Sequence, residues 1–291
     1  MPRPEPHRAS WPFLRACRPR QWLKNTVVLI APATAGALSR PRALVALLGA
    51  FVAFCLISSA TYLINDVRDL ESDRHHPRKR LRPVAAGELS VRAALGAAVG
   101  LAIAALLVAA TIRMTLVLVV IGYLALTLSY TLLWREIVVM DLLLIACGFV
   151  FRAVAGGAAV GVSLSSAFLV VTSACALFLI VGKRIGEIAT SGRLTRGTLQ
   201  RYSLRGLRLL LTGSATVGCL AYASWAFGRS GAGPWLALSL LPFGLWLGRY
   251  AALVREGAGE TPEELVLGDG GLIALSVIWT LLFIAGIYGA G

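Results

Sequence analysis

Between Asn65 and Pro83 the chain reads NDVRDLESDRHHPRKRLRP, a run of carboxylates and basic side chains at the end of an apolar segment. Asp66, Asp69 and Asp73 fall at i, i+3 and i+7, which places all three on one face of a helix. Three carboxylates this close repel one another unless a cation sits between them. A hard divalent ion that takes oxygen ligands, Mg²⁺ above all, suits such a set. It keeps one or two protein carboxylates and fills its other positions with substrate phosphates. Arg78, Lys79, Arg80 and Arg82 follow at once, placed to grip phosphate oxygens. The pattern predicts a metal–diphosphate site with Asp66, Asp69 and Asp73 as catalytic carboxylates and metal ligands. Asn65 offers substrate a carbonyl or an amide, while His75 and His76 are expected to hydrogen-bond within the loop. A solvated loop that only sets topology would explain the basic residues but not the spacing of the acids.

Two further clusters have the same character. In GKRIGE, Lys183 and Arg184 are candidates for phosphate oxygens and Glu187 for a second metal position, with Arg193, Arg196, Arg201 and Tyr202 beyond. A structural pair between Lys183 and Glu187, four residues apart, is the plainer alternative. In RPRQWLKN, Arg20, Lys24 and Asn25 are expected to hold the phosphate of a lipid, with Trp22 at headgroup depth. Interface anchoring alone would also account for that motif. Within apolar stretches lie Asp141 and Arg152, and a charge there faces the protein interior or a wet cavity. Their spacing of eleven is about three helical turns, too far for direct contact. Arg152 is therefore a candidate for an anionic group deep in a cavity, with Tyr130 a weaker cavity residue.

These groups have to be positioned by a membrane protein. Of 291 residues, 57% are hydrophobic and 14% charged, and mean hydropathy is +0.77. Apolar runs at 26–39, 43–64, 93–111, 114–133, 138–162, 165–182, 208–227, 234–248 and 270–289 are about long enough to span a bilayer as helices. The runs are continuous, not alternating, so a β-barrel is not expected. The net charge of +14 follows topology and not nucleic acid. With the N-terminus in the cytoplasm, the opposite face keeps only Arg40, Arg42, Arg113 and Arg229, which is the positive-inside pattern. The polar motifs then all fall on the cytoplasmic side of a multi-pass cell (inner) membrane protein. The segments after the second and sixth runs occupy equivalent places, so two related halves around one cavity are expected. Segment 249–269 starts a helix at Thr261, with Pro262 at its first position. The five cysteines show no metal or redox spacing, so neither disulfide nor zinc is predicted. No removable signal peptide is read at the N-terminus. Residues 1–17 are expected to be a flexible cytoplasmic tail and 18–291 one catalytic domain. The small residues Ala155–Gly157 would pack on internal helices or on another protomer of a homo-oligomer.

Asn65, Asp66, Asp69 and Asp73, followed by His76, Pro77, Lys79, Arg82 and Pro83, resemble the first signature of the UbiA-type membrane prenyltransferase superfamily. The resemblance implies an all-α, nine-transmembrane-helix bundle with a cytoplasmic polar cap over a lipid-accessible cavity. The superfamily's second signature is usually aspartate-rich, whereas GKRIGE stands in its place here. Together with RPRQWLKN and TPEELVLGD, that departure is similar to the decaprenyl-phosphate phosphoribosyltransferase branch. Implied by that branch is Mg²⁺-dependent transfer of 5-phosphoribose from phosphoribosyl diphosphate (PRPP) to a polyprenyl phosphate, supplying precursors of cell-wall arabinan. Asp66 and Asp69 would hold the metal with Asp73 beside them, Lys79 and Arg82 the diphosphate, and Lys183 and Arg184 the sugar 5-phosphate. The nearest rival is a superfamily member moving a prenyl group to an aromatic or other small acceptor, to which the 8% aromatic content is unfavourable. A transporter would keep its polar groups near the midplane, not at the membrane surface.

Overall fold

The computed structural model describes residues 12–134, 137–191, 202–229 and 233–289. Among these there is no strand, and the chain is an integral membrane protein built of helices. Eight helices are long and apolar enough to cross a bilayer. They are α3 (Pro41–Arg68), α5 (Val91–Ile112), α6 (Met114–Ser129, extended by a π turn over Tyr130–Trp134), α7 (Val138–Val160), α8 (Ser166–Ser191), α9 (Leu204–Gly228), α10 (Gly233–Arg255) and α12 (Gly270–Tyr288). The shorter helices are α1 (Pro12–Ala16), α2 (Ile30–Thr34), α4 (Leu70–His75) and α11 (Pro262–Gly268).

The first apolar run departs from expectation. It is not one α-helix but a 3₁₀ segment, Pro19–Leu29, continued by α2. Gly36, at φ 69°, then turns the chain toward α3. The tighter 3₁₀ winding rises about 2.0 Å per residue, so a short segment still reaches far into the bilayer. Residues 12–16, at the end of the expected tail, form α1 with Ala16 buried; residues 1–11 lie outside the described residues.

Local chemistry sets the other ends. Ser90, Ser203 and Asp269 cap α5, α9 and α12 by accepting from Ala93, Gly206 and Leu272 backbone N–H groups. Two cores result. Phe54, Ile57, Ala105, Leu116, Val120 and Ala155 join α3, α5, α6 and α7. Phe178, Val181, Leu211, Tyr250 and Leu272 join α8, α9, α10 and α12. Helix α7 packs on both α6 and α8 and so connects the halves.

The amino-terminal 3₁₀ segment closes against α7 because Gly156 has no side chain. A Cβ there would fall inside the Val28 carbonyl, and one at Gly157 would strike Leu164 and Val162. The small-residue face is thus used within the chain and is not free for another protomer. Gly156→Val is expected to lower the melting temperature in detergent by roughly 5 °C or more through overpacking. Gly100→Val, at a glycine with open space around it, is the control and should change it little.

Candidate active site

Where α3 meets α4, the helix breaks at Asp69 instead of running on. Asp69 adopts φ −89°, ψ 6° and donates its N–H to the Asn65 carbonyl. The three aspartates are therefore not on one continuous helix. Asp66 and Asp73, both buried, are instead gathered by Arg82, whose Nη1 lies 2.5 Å from Asp73 Oδ2 and 3.3 Å from Asp66 Oδ1. Arg18 donates to the same Asp66 oxygen and stacks over Tyr62 with its guanidinium carbon 5.0 Å from the ring centre. Arg18 holds φ 54° just before Pro19, an uncommon conformation for a non-glycine residue and a strained one. His76 bonds the N–H groups of Arg78 and Lys79 in the loop, as expected, while His75 bonds the Glu71 carbonyl within α4.

Among the described residues, no group of three His, Cys, Asp or Glu side chains is close enough to hold a metal ion. One observation nonetheless fits a hard cation: Asp66 Oδ2 is buried and has no hydrogen-bond partner among the described residues. An orphaned carboxylate oxygen beside two partly exposed arginines suits an ion that arrives with its own phosphate ligands.

Beside this cluster lies a cavity of about 480 Å³, lined by Lys24, Asn65, Tyr130, Arg152, Lys183 and Arg184 among others. The sequence candidates in it fall into two groups. Arg184 is buried and committed to other residues: its Nη2 donates to Asp141 Oδ1 at 3.0 Å and its Nη1 to Glu187 at 2.5 Å. Asp141 also accepts from the Tyr130 and Tyr202 hydroxyls, at 2.7 and 3.0 Å. Burial and the neighbouring Asp141 carboxylate push the Tyr202 hydroxyl up from its ordinary pKa, so it remains a donor. Arg184 and Glu187, expected on phosphate and metal, are thus tied into a structural network. Asn25 is likewise diverted. It is fully buried, donates to Cys55 and Ser58, and accepts from Arg152 Nε at 2.8 Å instead of facing a lipid phosphate. Arg20 is exposed and does not line the cavity. Arg193, Arg196 and Arg201 lie outside the described residues.

The second group keeps its charge toward the cavity. Arg152 donates to Asn25, to the Gly148 carbonyl at 2.7 Å and to the Tyr123 hydroxyl at 2.9 Å, and sits over the Tyr123 and Phe149 rings. It is 6% exposed, and every one of these partners is neutral. A buried guanidinium held by neutral groups is a preformed receptor for an anion. Lys183 reaches Glu187 only at 3.9 Å. Lys24 meets Glu263 at 2.7 Å. Asn65 accepts from Thr131 at 2.7 Å, and the π turn carries both Tyr130 and Thr131 on the cavity wall.

Glu263 is a residue that sequence reasoning missed. It roofs the cavity with Pro262, Val266 and Leu267 of α11. The signal lay in GKRIGE: Gly182 and Gly186 are four apart on α8, and a Cβ at Gly186 would collide with the Gly259–Glu260 backbone. Those glycines let the segment before α11 lie directly on α8. Burial raises the Glu263 carboxyl, but Lys24 outweighs it and holds the group below its ordinary value. A depressed folded pKa stabilises the contact above the ordinary value of 4.5 and loses it as pH falls through the lower folded one. Hydrogen exchange of 262–268 is expected to be unchanged between pH 7 and 6 and to quicken, after correction for intrinsic rates, below about pH 4.

A second cavity, of about 430 Å³, shares Phe149 and Leu179 with the first and is almost wholly apolar. The aromatic side chains, sparse overall, are concentrated there as Tyr222, Trp225, Phe243, Trp279 and Phe283. The site is thus a polar chamber with carboxylates at one edge and an apolar extension at the other.

Comparison with known proteins shows the family and agrees with the fold. A model of the UbiA prenyltransferase family matches residues 26–276. Decaprenyl-phosphate phosphoribosyltransferase of Corynebacterium glutamicum is 40% identical over 95% of this chain and 86% of its own length. The enzyme of the same name from Mycobacterium tuberculosis is 39% identical over 91% of each. Among solved structures, a UbiA homolog from Archaeoglobus fulgidus bound to GPP and Mg²⁺ superposes with a TM-score of 0.71 at 18% identity, covering 96% of this chain and 99% of that one.

Proposed function

The chain belongs to the UbiA prenyltransferase family, and we propose that it transfers 5-phosphoribose from PRPP to a decaprenyl or similar polyprenyl phosphate. The bond from the anomeric carbon to diphosphate breaks, and diphosphate leaves with the electron pair. A phosphate oxygen of the lipid forms the new bond to that carbon. The acceptor is already ionised at neutral pH, so no strong general base is required. The product would feed cell-wall arabinan synthesis.

The observation that carries this reading is the pairing of one orphaned carboxylate oxygen, on Asp66, with a separate cationic chamber built on Arg152 and Lys183. A donor with two phosphate groups at opposite ends of a sugar needs both. Mg²⁺, held by Asp66 with Asp69 and Asp73 beside it, would act as a Lewis acid toward the leaving diphosphate. Arg18 and Arg82, which both reach Asp66, would grip the diphosphate oxygens together with Lys79. Arg152 and Lys183 receive the sugar's 5-phosphate, a task the sequence had assigned to Lys183 with Arg184. Lys24 holds the lipid phosphate after exchanging Glu263 for it, and the aromatic cavity takes the first part of the polyprenyl chain. The site faces the cytoplasm of the cell membrane, with the N-terminus on that side.

Incubation in nanodiscs with radiolabelled PRPP, polyprenyl phosphate and Mg²⁺ tests the proposal. Label is expected to move into the lipid phase and to stay in water when EDTA is added. Label that remains aqueous while a prenyl diphosphate is consumed would replace this reading with prenyl transfer.

A further inference from the structure

The end of the bundle opposite the carboxylates has an unusual charge balance. The described segments that reach it, 35–42, 112–115, 161–165 and 228–229, contain four arginines and neither Asp nor Glu. Arg229 is occupied by its own surroundings, donating to the Thr34 carbonyl at 3.1 Å and lying over Trp225. Arg40, Arg42 and Arg113 have no such ties, and together they line a third cavity, of about 580 Å³, between α3, the α5–α6 turn and α7. Their guanidinium groups make no ion pair or hydrogen bond among the described residues. Two long helices also begin here, α3 after Arg40 and α6 after Arg113, and neither first turn is capped by a side chain. Their positive ends add to the same field.

Below the arginines the cavity is apolar, walled by Val45 of α3 and by Val108 and Ile112 of α5. Val45 of that wall and the neighbouring Met114 are more than 70% exposed, each at the start of a helix long and apolar enough to cross a bilayer. Charge at the membrane surface with an apolar slot running down from it is the shape of a lipid, not of a soluble anion, which would have no use for the slot. We propose that this notch binds the phosphate headgroup of an anionic phospholipid in the leaflet opposite the active site, with an acyl chain against Val45, Val108 and Ile112. The lipid would neutralise three guanidiniums that have no counter-ion among the described residues and would brace the start of α3 against the α5–α6 turn. The inference does not depend on the transfer reaction.

Native mass spectrometry of the full chain in a neutral detergent, titrated with phosphatidylglycerol or phosphatidylcholine, tests it. One phosphatidylglycerol per chain is expected to bind about tenfold or more tightly than phosphatidylcholine, the effect of a few charge-assisted hydrogen bonds. The preference should vanish in Arg40→Gln/Arg42→Gln/Arg113→Gln and persist in Arg229→Gln, which removes a charge from the same face but outside the notch. Equal retention of the two lipids by the wild type, or an undiminished preference in the triple variant, would overturn the proposal. Displacement of phosphatidylglycerol by millimolar inorganic phosphate would assign the notch to a soluble anion and also overturn it. Should the triple variant not fold, the wild-type lipid preference and its insensitivity to phosphate decide the matter.

Discussion

Asp66→Asn is expected to lower phosphoribosyl transfer by about 10²–10³-fold, the loss typical of removing a group that stabilises charge developing on a leaving group. The argument rests on geometry. Asp66 is buried at the carboxyl end of α3, where Arg18 and Arg82 both reach its Oδ1 while Oδ2 has no hydrogen-bond partner among the described residues. Asparagine preserves the shape and one acceptor but removes the charge that a hard cation requires. A second readout separates this role from a merely structural one. Mg²⁺ with diphosphate should raise the melting temperature of the wild type, because binding to the folded state alone stabilises it, and should leave the variant unmoved. Asp73→Asn is predicted to be milder, since Asp73 Oδ2 is already paired with Arg82 at 2.5 Å. Activity within tenfold of wild type in Asp66→Asn would reduce Asp66 to a counter-ion for Arg18.

How far the sequence discloses such a site depends on the range of the interactions involved. Hydropathy located the runs that became α3, α5 to α10 and α12, because a bilayer imposes its thickness on each segment separately. The first run misled, since Pro32 and Gly36 within it permit several helical windings and contact with α7 decides among them. Asp66 and Asp73 were legible as acids at helical spacing, yet what joins them is Arg82, 16 residues from Asp66, and not a shared helix face. Arg18 stood in the RPRQWLKN motif, but its bond to Asp66 crosses 48 residues and depends on a backbone conformation no spacing rule indicates. By spacing alone Arg184 reads as a phosphate ligand, whereas Asp141, 43 residues earlier, holds it. Spacing correctly excluded a direct contact between Asp141 and Arg152, and the structure supplies the partner each takes instead. The aromatic content of the whole chain hid a local concentration, because composition averages over membrane-facing surface and cavity wall alike.

Arg152→Gln is expected to raise the KM for the anionic donor by about 30- to 100-fold, with a smaller change in kcat. The magnitude follows from losing charge-assisted hydrogen bonds to a phosphate in a site shielded from water, where they are worth more than at an exposed surface. Arg152 also orients Asn25 and so touches the amino-terminal 3₁₀ segment, so a loss of activity alone would be ambiguous. Three comparisons remove the ambiguity. Arg152→Lys keeps the charge but not the planar fork that spans Asn25, Gly148 and Tyr123, and should recover part of the donor affinity. Asn25→Ala removes the orienting contact while leaving the guanidinium, and should lower kcat more than it raises KM. The melting temperature of Arg152→Gln should rise less with added PRPP than that of the wild type, because the receptor for the 5-phosphate is gone. If Arg152 served only to brace the 3₁₀ segment, Arg152→Gln would instead melt lower and turn over more slowly with the donor KM unmoved. That outcome would leave Lys183 as the remaining cavity cation for the sugar phosphate.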